Sequence, residues 1–211
     1  MPGLALPVIA AMLGSAVVRA SADPSVLKAV PCDSMLAAVS ALKERFPDHP
    51  NSSVAVVSIS RQLLYLYRND RLVKTYAVST SKLGAGNKGG SFMTPLGAHC
   101  VKKKLGGGAP LGTIFIGRQN THQIATIIND KTVTTDYDLI TTRILWLDGL
   151  EPGVNRGKGI DSYARYIYIH GTQEEGLIGQ PVSHGCVRMT NHDVVELYDE
   201  LQENDLVLIV Q

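Results

Sequence analysis

Short runs of β-branched and aromatic residues, separated by clusters of glycine, proline, asparagine and aspartate, recur from residue 53 to the C-terminus and constrain the fold most strongly. Branched and aromatic side chains fit a pleated surface, whereas the intervening residues favour turns. Many short strands at this spacing predict a mainly β fold, a sandwich or a barrel. We expect strands at residues 54–58, 64–66, 73–78, 99–103, 113–117, 124–128, 143–147, 166–169 and 206–210.

A few short helices and one hairpin turn complete the predicted organisation. Residues 33–46 carry apolar side chains at helical spacing, and Asp33 or Ser34 can cap their first turn. A second helix follows Asn191, which is itself a capping residue. The sequence Arg-Asn-Asp-Arg at residues 68–71 predicts the turn of a β-hairpin.

Length and composition favour one sizeable globular domain. Of 211 residues, 45% are hydrophobic and 18% are charged, so the chain can bury a core and global disorder is not expected. The formal net charge is +1, and no basic stripe carries interleaved aromatic residues, so we predict no nucleic-acid partner. The three consecutive lysines at residues 102–104 are interpreted as a solvated strand end.

The N-terminal segment predicts export to the periplasm or the cell-wall side of the membrane. An apolar run at residues 4–18 is followed by Ala-Ser-Ala, as in a secretory signal peptide and its cleavage site. No Lys or Arg precedes the run, and a buried N-terminal helix is the alternative. We therefore divide the chain into a signal peptide at 1–22, a short helix and linker at 23–52, and the main domain at 53–211.

The chain has three cysteines, Cys32, Cys100 and Cys186. An odd count in an exported chain indicates one free thiol, and Cys186 is the candidate to stay free. Cys32 and Cys100 either form a disulfide or remain two thiols, since pairing requires Cα atoms within about 7 Å.

The densest set of reactive groups surrounds Cys186. A cysteine becomes a nucleophile when a nearby base takes its proton, and His170 and His184 are the two candidate bases. Gly185 permits a tight backbone path, and its N–H group with that of Cys186 is a candidate oxyanion donor. The carbonyl of Gly171 is available to orient the His170 ring. We expect the sulfur and the imidazole to face each other at the floor of an open groove.

Neither a metal nor a nucleotide cofactor is predicted. His184 and Cys186, with His170 or His192, are the candidate zinc ligands, but structural zinc sites usually present paired ligands at wider spacings. The glycine-rich loop at residues 80–91 lacks the Gly-Lys-Ser/Thr sequence and the following helix of a phosphate-binding loop. We interpret it as a surface loop that flanks a cleft, and as a hypothesis its wall or lid.

The sequence resembles the L,D-transpeptidase catalytic domain family. The resemblance rests on His-Gly-Thr at residues 170–172, Gly179, Pro181 and Ser-His-Gly-Cys-Val-Arg-Met at 183–189. It spans about residues 53 to 211, and the histidine and cysteine box is highly specific. Further similar segments lie at residues 79–82, 92–97 and 191–194.

The resemblance implies a β-sandwich with the cysteine at the bottom of a cleft, and a reaction on peptidoglycan stem peptides. Such enzymes attack the bond before the terminal D-Ala of a stem tetrapeptide, hold the acyl group as a thioester, and transfer it to an amine. The acceptor is a second stem peptide, which gives a 3→3 cross-link, or an attached protein.

Transferred by position, the resemblance makes Cys186 the nucleophile and His170 the base. The Gly171 carbonyl orients the ring, and His184 lines the oxyanion region or the donor pocket. Arg188 either binds a substrate carboxylate or forms a structural ion pair.

Ser183 is included with Arg188 as a candidate substrate-binding residue, and it is expected to support the turn rather than to react. Two alternatives to the transpeptidase reaction stay open. One is a hydrolase on the same scaffold, an L,D-carboxypeptidase or an amidase that releases a wall protein. The other is a non-catalytic wall-binding module.

Overall fold

The structure, a computed structural model, describes residues 35–50 and 52–211 of the chain. Within these residues the protein is mainly β, as the sequence predicts. The elements are α1 (Met35–Arg45), β1 (Ser53–Ser58), β2 (Leu63–Arg68), β3 (Arg71–Ala77), β4 (Gly97–Leu105), β5 (Thr113–Ile116), β6 (Gln119–Ile124), β7 (Ile140–Gly149), β8 (Tyr168–Gly171), β9 (Val187–Met189), α2 (Asn191–Glu200) and β10 (Leu206–Val210). A single 3-10 turn, Glu175–Leu177, lies between β8 and β9.

The strands form one mixed sheet in the order β3-β2-β1-β10-β4-β7-β5-β6. Strand β8 pairs with β7, and β9 pairs with β8. The pairs β1 with β10 and β8 with β9 are parallel, whereas the other pairs are antiparallel. The C-terminal strand β10 therefore lies inside the sheet, and all five of its residues are buried.

Two apolar cores lie on opposite faces of β10. Val207 and Ile209 enter the first core, whereas Leu206, Leu208 and Val210 enter the second. This alternation is the period-two pattern of a strand that is buried on both faces. Side chains of β7, β8, β9 and α2 also belong to the first core, so these elements pack face to face with β1, β2 and β10. The layering is that of the predicted sandwich.

Helix α1 covers the second core. Met35, Val39 and Leu42 recur at helical spacing and are buried against β1 and β10. The helix predicted at residues 33–46 is thus confirmed within the described part of the chain. Its predicted capping residues and the signal peptide predicted at residues 1–22 lie outside the described residues. In the described ranges, no helix has the length and apolarity needed to cross a bilayer.

The hairpin turn is confirmed, and one strand prediction is wrong. Asn69 and Asp70 join β2 to β3 with φ values of 49° and 61°, the left-handed geometry of a tight hairpin. The strand predicted at residues 124–128 is absent beyond its first residue, because β6 ends at Ile124. The amide of Ala125 instead bonds to a loop carbonyl. Strand β9 was not predicted, because three residues are too few to show an alternation.

Cys100 is buried in the second core, where it is 3% exposed. Burial raises the pKa of its thiol to about 11. Cys32 lies outside the described residues, so both alternatives for this pair of cysteines stay predictions.

Replacement of Leu42 by Ala should lower the free energy of unfolding by about 2–5 kcal/mol, because it leaves a cavity between α1 and the sheet. Urea unfolding measures the change. The exposed control Glu44→Ala should stay within about 0.5 kcal/mol of the parent. Equal stability of the two variants would show that α1 is not part of the cooperative unit.

Candidate active site

Parallel pairing of β8 with β9 places Cys186 and His170 on one face of the sheet. His170 is paired with Arg188, and Cys186 lies two residues before Arg188, so alternation gives all three the same face. Cys186 also packs against Tyr168, two residues before His170. The hydrogen bonds of the sulfur go to the backbone, from the Tyr168 amide at 3.4 Å and to the Tyr166 carbonyl at 3.4 Å. His170 thus lies on β8, and Cys186 lies in the bend that leads directly into the adjacent strand β9.

The ring of His170 is buried and held by its neighbour. Its Nδ1 lies 2.7 Å from the carbonyl oxygen of Gly171, so Nδ1 carries a proton and Nε2 is the acceptor nitrogen. Burial lowers the pKa of His170, although the charge of Asp138 opposes that shift. The imidazole is therefore neutral at pH 7. This is the orientation that the Gly171 carbonyl was expected to impose.

A β-carbon on Gly171 would not fit. It would approach the side-chain oxygen of Asn191 to 2.7 Å and the carbonyl oxygen of Thr141 to 2.9 Å. The orienting carbonyl therefore sits at a position where the backbone of β8 packs directly against β7 and the start of α2.

The pKa of the Cys186 thiol is raised in the resting protein, although the hydrogen bond from the Tyr168 amide opposes that shift. Burial raises the pKa of Cys186 to about 12, and the nearby charge of Asp138 raises it further. Arg188 and Arg165 lower it by smaller amounts. The shifts of the two pKa values therefore favour the uncharged form of both the thiol and the His170 imidazole.

Ser183 lies in the turn before Cys186, as expected, and its part in substrate binding stays a prediction. It is fully buried, and its hydroxyl donates to the carbonyl of Cys186 at 2.6 Å. The same hydroxyl accepts from the amide of Gly185 at 3.2 Å. Gly185 has a φ of 122°, which favours glycine, so the Ser183 hydroxyl and Gly185 together fix the approach to Cys186.

The hydrogen bond from the Gly185 amide to the Ser183 hydroxyl also alters the predicted oxyanion site. The Gly185 amide already donates to Ser183 and is not available as a donor in this structure. The Cys186 amide remains as the backbone candidate. The His184 side chain is 48% exposed, and its Nδ1 lies 3.0 Å from a carboxylate oxygen of Asp138. The edge of its ring meets Phe92, with centroids 6.4 Å apart.

Of the two roles open for Arg188, the structure shows the structural ion pair. Its side chain is only 3% exposed and donates to Glu174 at 2.7 Å and to Asp138 at 2.7 Å. With both carboxylates in place, the guanidinium is not presented to a substrate. Burial alone would raise the pKa of Asp138, but His170, Arg188 and His184 hold it below its usual value.

Sequence reasoning missed Asp138 and Glu174. Glu174 follows the His-Gly-Thr segment by two residues, so its proximity was the available signal. Asp138 lies in the long connection between β6 and β7, where no periodic pattern indicates which side chain turns inward.

The glycine-rich loop borders the site. The amide of Lys82 donates to the carbonyl of Ser183 at 3.2 Å, and the backbone of Ser81 bridges that of Ser183. The Phe92 and Met93 carbonyls lie under 4 Å from the place of a β-carbon on Gly185. The loop therefore flanks the cysteine, and its function as a lid stays a hypothesis.

Within residues 35–50 and 52–211, no three His, Cys, Asp or Glu side chains are grouped to hold a metal ion. The fold and the site together define a mainly β protein with a partly exposed cysteine, a buried histidine on the adjacent parallel strand, and a buried network of Asp, Arg and Glu beside them. Comparison with known families agrees with that class. Residues 52–209 match the model of the YkuD family, the L,D-transpeptidase catalytic domain, and the chain belongs to this family.

Its relatives include two Bacillus proteins. It is 28% identical over 153 residues to the putative L,D-transpeptidase YkuD of Bacillus licheniformis, covering 72% of this chain and 62% of that protein. It is 44% identical over 52 residues to the putative L,D-transpeptidase YqjB of Bacillus subtilis, covering 25% of this chain and 28% of the relative. The chain thus spans less than two thirds of these relatives.

Solved structures of similar fold include L,D-transpeptidase 3 from Mycobacterium tuberculosis in complex with a faropenem-derived adduct. The sequences are 15% identical, the TM-score is 0.47, and the match covers 76% of this chain and 60% of that one. An L,D-transpeptidase from Mycobacterium smegmatis is 15% identical, with a TM-score of 0.44 and coverage of 75% and 58%.

Replacement of Arg188 by Met should destabilise the protein by about 3–5 kcal/mol, because Glu174 and Asp138 lose the charge that compensates their burial. Urea unfolding measures the effect, and the exposed Arg71→Met is the control. The double variant Arg188→Met/Glu174→Gln should recover part of the loss. An Arg188→Met protein as stable as the control would contradict a structural ion pair.

Iodoacetamide labelling of Cys186 should rise about tenfold per pH unit between pH 7 and 10, because the thiolate fraction below a raised pKa grows by that factor. Peptide mass spectrometry follows the modification. His170→Ala should leave the profile unchanged, since the resting imidazole is neutral. A plateau near pH 8 that disappears in His170→Ala would instead reveal a preformed thiolate.

Proposed function

We propose that this chain is an exported peptidoglycan L,D-transpeptidase with Cys186 as nucleophile and His170 as general base. Its substrates are peptidoglycan stem peptides, one as acyl donor and one as acceptor, with a wall-attached protein as an alternative acceptor. Membership of the YkuD family supports the reaction class. The signal peptide predicted at residues 1–22 supports the location, because peptidoglycan lies outside the cytoplasm.

One observation carries the proposal: His170 lies on β8 with its ring tautomer set for proton acceptance, and Cys186 directly precedes the adjacent parallel strand β9. Gly171 holds the Nδ1 proton of His170, which leaves Nε2 with its lone pair. A general base must be neutral and within reach of the proton it removes. The lowered pKa of His170 supports the first requirement, and the strand register supports the second.

In the acylation step, the Cys186 sulfur attacks the carbonyl before the terminal D-Ala while Nε2 of His170 takes the thiol proton. The oxyanion that forms accepts a hydrogen bond from the Cys186 amide. When the intermediate collapses, the carbon–nitrogen bond breaks and the imidazolium returns its proton to the leaving amine of D-Ala. The acyl group remains on the sulfur as a thioester.

In the transfer step, a neutral amine of the acceptor attacks the thioester carbonyl, and His170 takes a proton from the amine nitrogen. Collapse breaks the carbon–sulfur bond, and the imidazolium protonates the departing sulfur. The thioester preserves the free energy of the donor amide bond. The new amide can therefore form without energy from a nucleotide. For the amine to prevail over water, the cleft must exclude solvent and orient the acceptor.

Cys186→Ala should abolish acylation by a stem tetrapeptide, and His170→Ala should slow it by about 10²–10⁴-fold, the usual contribution of a general base. Intact-mass analysis detects the thioester adduct, and muropeptide mass spectrometry detects cross-linked dimers. The exposed His192→Ala is the matched control and should acylate normally. Normal acylation of His170→Ala would transfer the base role to His184.

The same assay separates the alternatives. A thioester that forms but yields only the shortened monomer, with acceptor in excess, would identify a hydrolase. Absence of any adduct on the wild-type protein, together with binding that Cys186→Ala leaves intact, would identify a wall-binding module.

A further inference from the structure

A cationic ledge is connected to Cys186 through Tyr166 and Tyr168. The guanidinium of Arg118 stacks over Trp146 at 4.8 Å and over Tyr166 at 5.0 Å from the ring centroids. It also donates to the Tyr168 hydroxyl at 3.3 Å. Tyr163 stacks on Trp146 with centroids 4.0 Å apart and extends the aromatic base. We call these five residues the Arg118 ledge.

The ledge is joined to the nucleophile through two tyrosines. The Cys186 sulfur bonds the Tyr166 carbonyl and the Tyr168 amide, and the same two residues hold Arg118 through their rings. Tyr166 and Tyr168 therefore each contact the sulfur through their backbone and the guanidinium through their side chain. Tyr166 is 51% exposed, so a ligand can reach this surface.

Arg118 is held on the ledge at a conformational cost. Gly117 and Arg118 connect β5 to β6 with φ values of 55° and 71°. Such two-residue turns favour Gly, Asn or Asp, because a larger side chain is strained at positive φ. Strained non-glycine residues are concentrated at functional sites.

The guanidinium has no carboxylate partner among the described residues, because none of their ion pairs includes Arg118. The two other arginines near the sulfur are occupied. Arg188 is bound by two carboxylates, and Arg165 donates to the carbonyls of Gly86 and Met93. Arg118 is thus the cation at this site whose charge is left for a ligand.

A cleft of about 450 Å³ opens on Arg118. The side chain of Phe115 lines it and also packs with Trp146 and Tyr168, so the cleft and the ledge are continuous. Its volume falls in the range of small-molecule and peptide sites.

We propose that Arg118 binds a free carboxylate of a peptidoglycan stem peptide and so sets specificity for it. The inference rests on the proposed function, since the stem peptide is its substrate. A guanidinium presents several N–H donors in one plane and matches the geometry of a carboxylate. Stacking on Trp146 and Tyr166 restricts the guanidinium before the substrate arrives, which reduces the entropy lost on binding.

The stem peptide offers that carboxylate from either of two sources. In the donor it is a carboxylate within a residue or two of the scissile carbonyl. In the acceptor it lies near the attacking amine. Either spacing fits the site, where a single tyrosine residue lies between the guanidinium and the sulfur.

Direct binding tests the inference without turnover. A stem tetrapeptide with free carboxylates is titrated into Cys186→Ala and into Cys186→Ala/Arg118→Asn by calorimetry. Asn tolerates the left-handed turn, so the hairpin is preserved. We expect the second variant to bind about 10-fold or more weakly, as for loss of a hydrogen bond to a charged group. With the amidated peptide the two variants should bind equally. Cys186→Ala/Arg71→Asn is the surface control and should bind as Cys186→Ala does.

Kinetics in the otherwise native protein then identify the source. A raised KM for the donor in Arg118→Asn, with kcat retained, assigns the donor carboxylate. Normal acylation with a raised KM for the acceptor assigns the acceptor carboxylate. Arg118→Lys, which keeps the charge, should recover part of either loss.

Equal binding of the free peptide by Cys186→Ala and by Cys186→Ala/Arg118→Asn would overturn the inference. An equal loss for the free and amidated peptides would do the same, because it would mean that Arg118 only shapes the hairpin. These outcomes are distinct from failure of the proposed function, in which the wild-type protein forms no thioester with the tetrapeptide.

Discussion

The parallel pairing of β8 with β9 is the constraint on which the site depends. A parallel pair keeps side chains at fixed diagonal positions, and here the register His170 with Arg188 brings Cys186 to the face of His170. A slip of one residue would turn every side chain of one strand to the other face. The register is secured because Ile169, Val187 and Met189 are fully buried in the first core on the opposite face. Core packing thus fixes the positions of the reactive groups.

The two cationic groups connected with Cys186, Arg188 and Arg118, differ in how their charges are compensated. Asp138 and Glu174 neutralise Arg188 inside the protein, and Asp138 also binds His184. Both terminal nitrogens of Arg188 are bound by these carboxylates, so the network holds the strand and the turn rather than a ligand. Arg118, in contrast, is a cation held by aromatic rings and by the Tyr168 hydroxyl, with no carboxylate partner among the described residues. Under the proposed function, an anionic part of the substrate is therefore attracted to Arg118 rather than to Arg188.

The sequence allowed prediction of features that are local along the chain. His170, Gly171, Gly185 and Cys186 were predicted as site residues because their residue types and spacing carry the chemistry. The strands, the hairpin turn and α2 followed from periodicity and turn residues. Contacts between distant segments were out of reach: Asp138 comes from an aperiodic connection. For the same reason the sequence left the role of Arg188 undecided. It also did not indicate that the Gly185 amide donates a hydrogen bond to the Ser183 hydroxyl.

The raised pKa of the thiol has the same origin as the lowered pKa of His170, because burial disfavours the charged form of each. Since both groups favour their uncharged forms at rest, proton transfer from the thiol to the imidazole is unfavourable. It becomes favourable when the sulfur can attack a carbonyl carbon. At rest the thiol is inert toward chance electrophiles and oxidants, which react with thiolates. Cys186 nevertheless stays partly exposed, so a substrate can reach the sulfur. Under the proposed function, the raised pKa protects the nucleophile at rest, and a slower first proton transfer is the consequence.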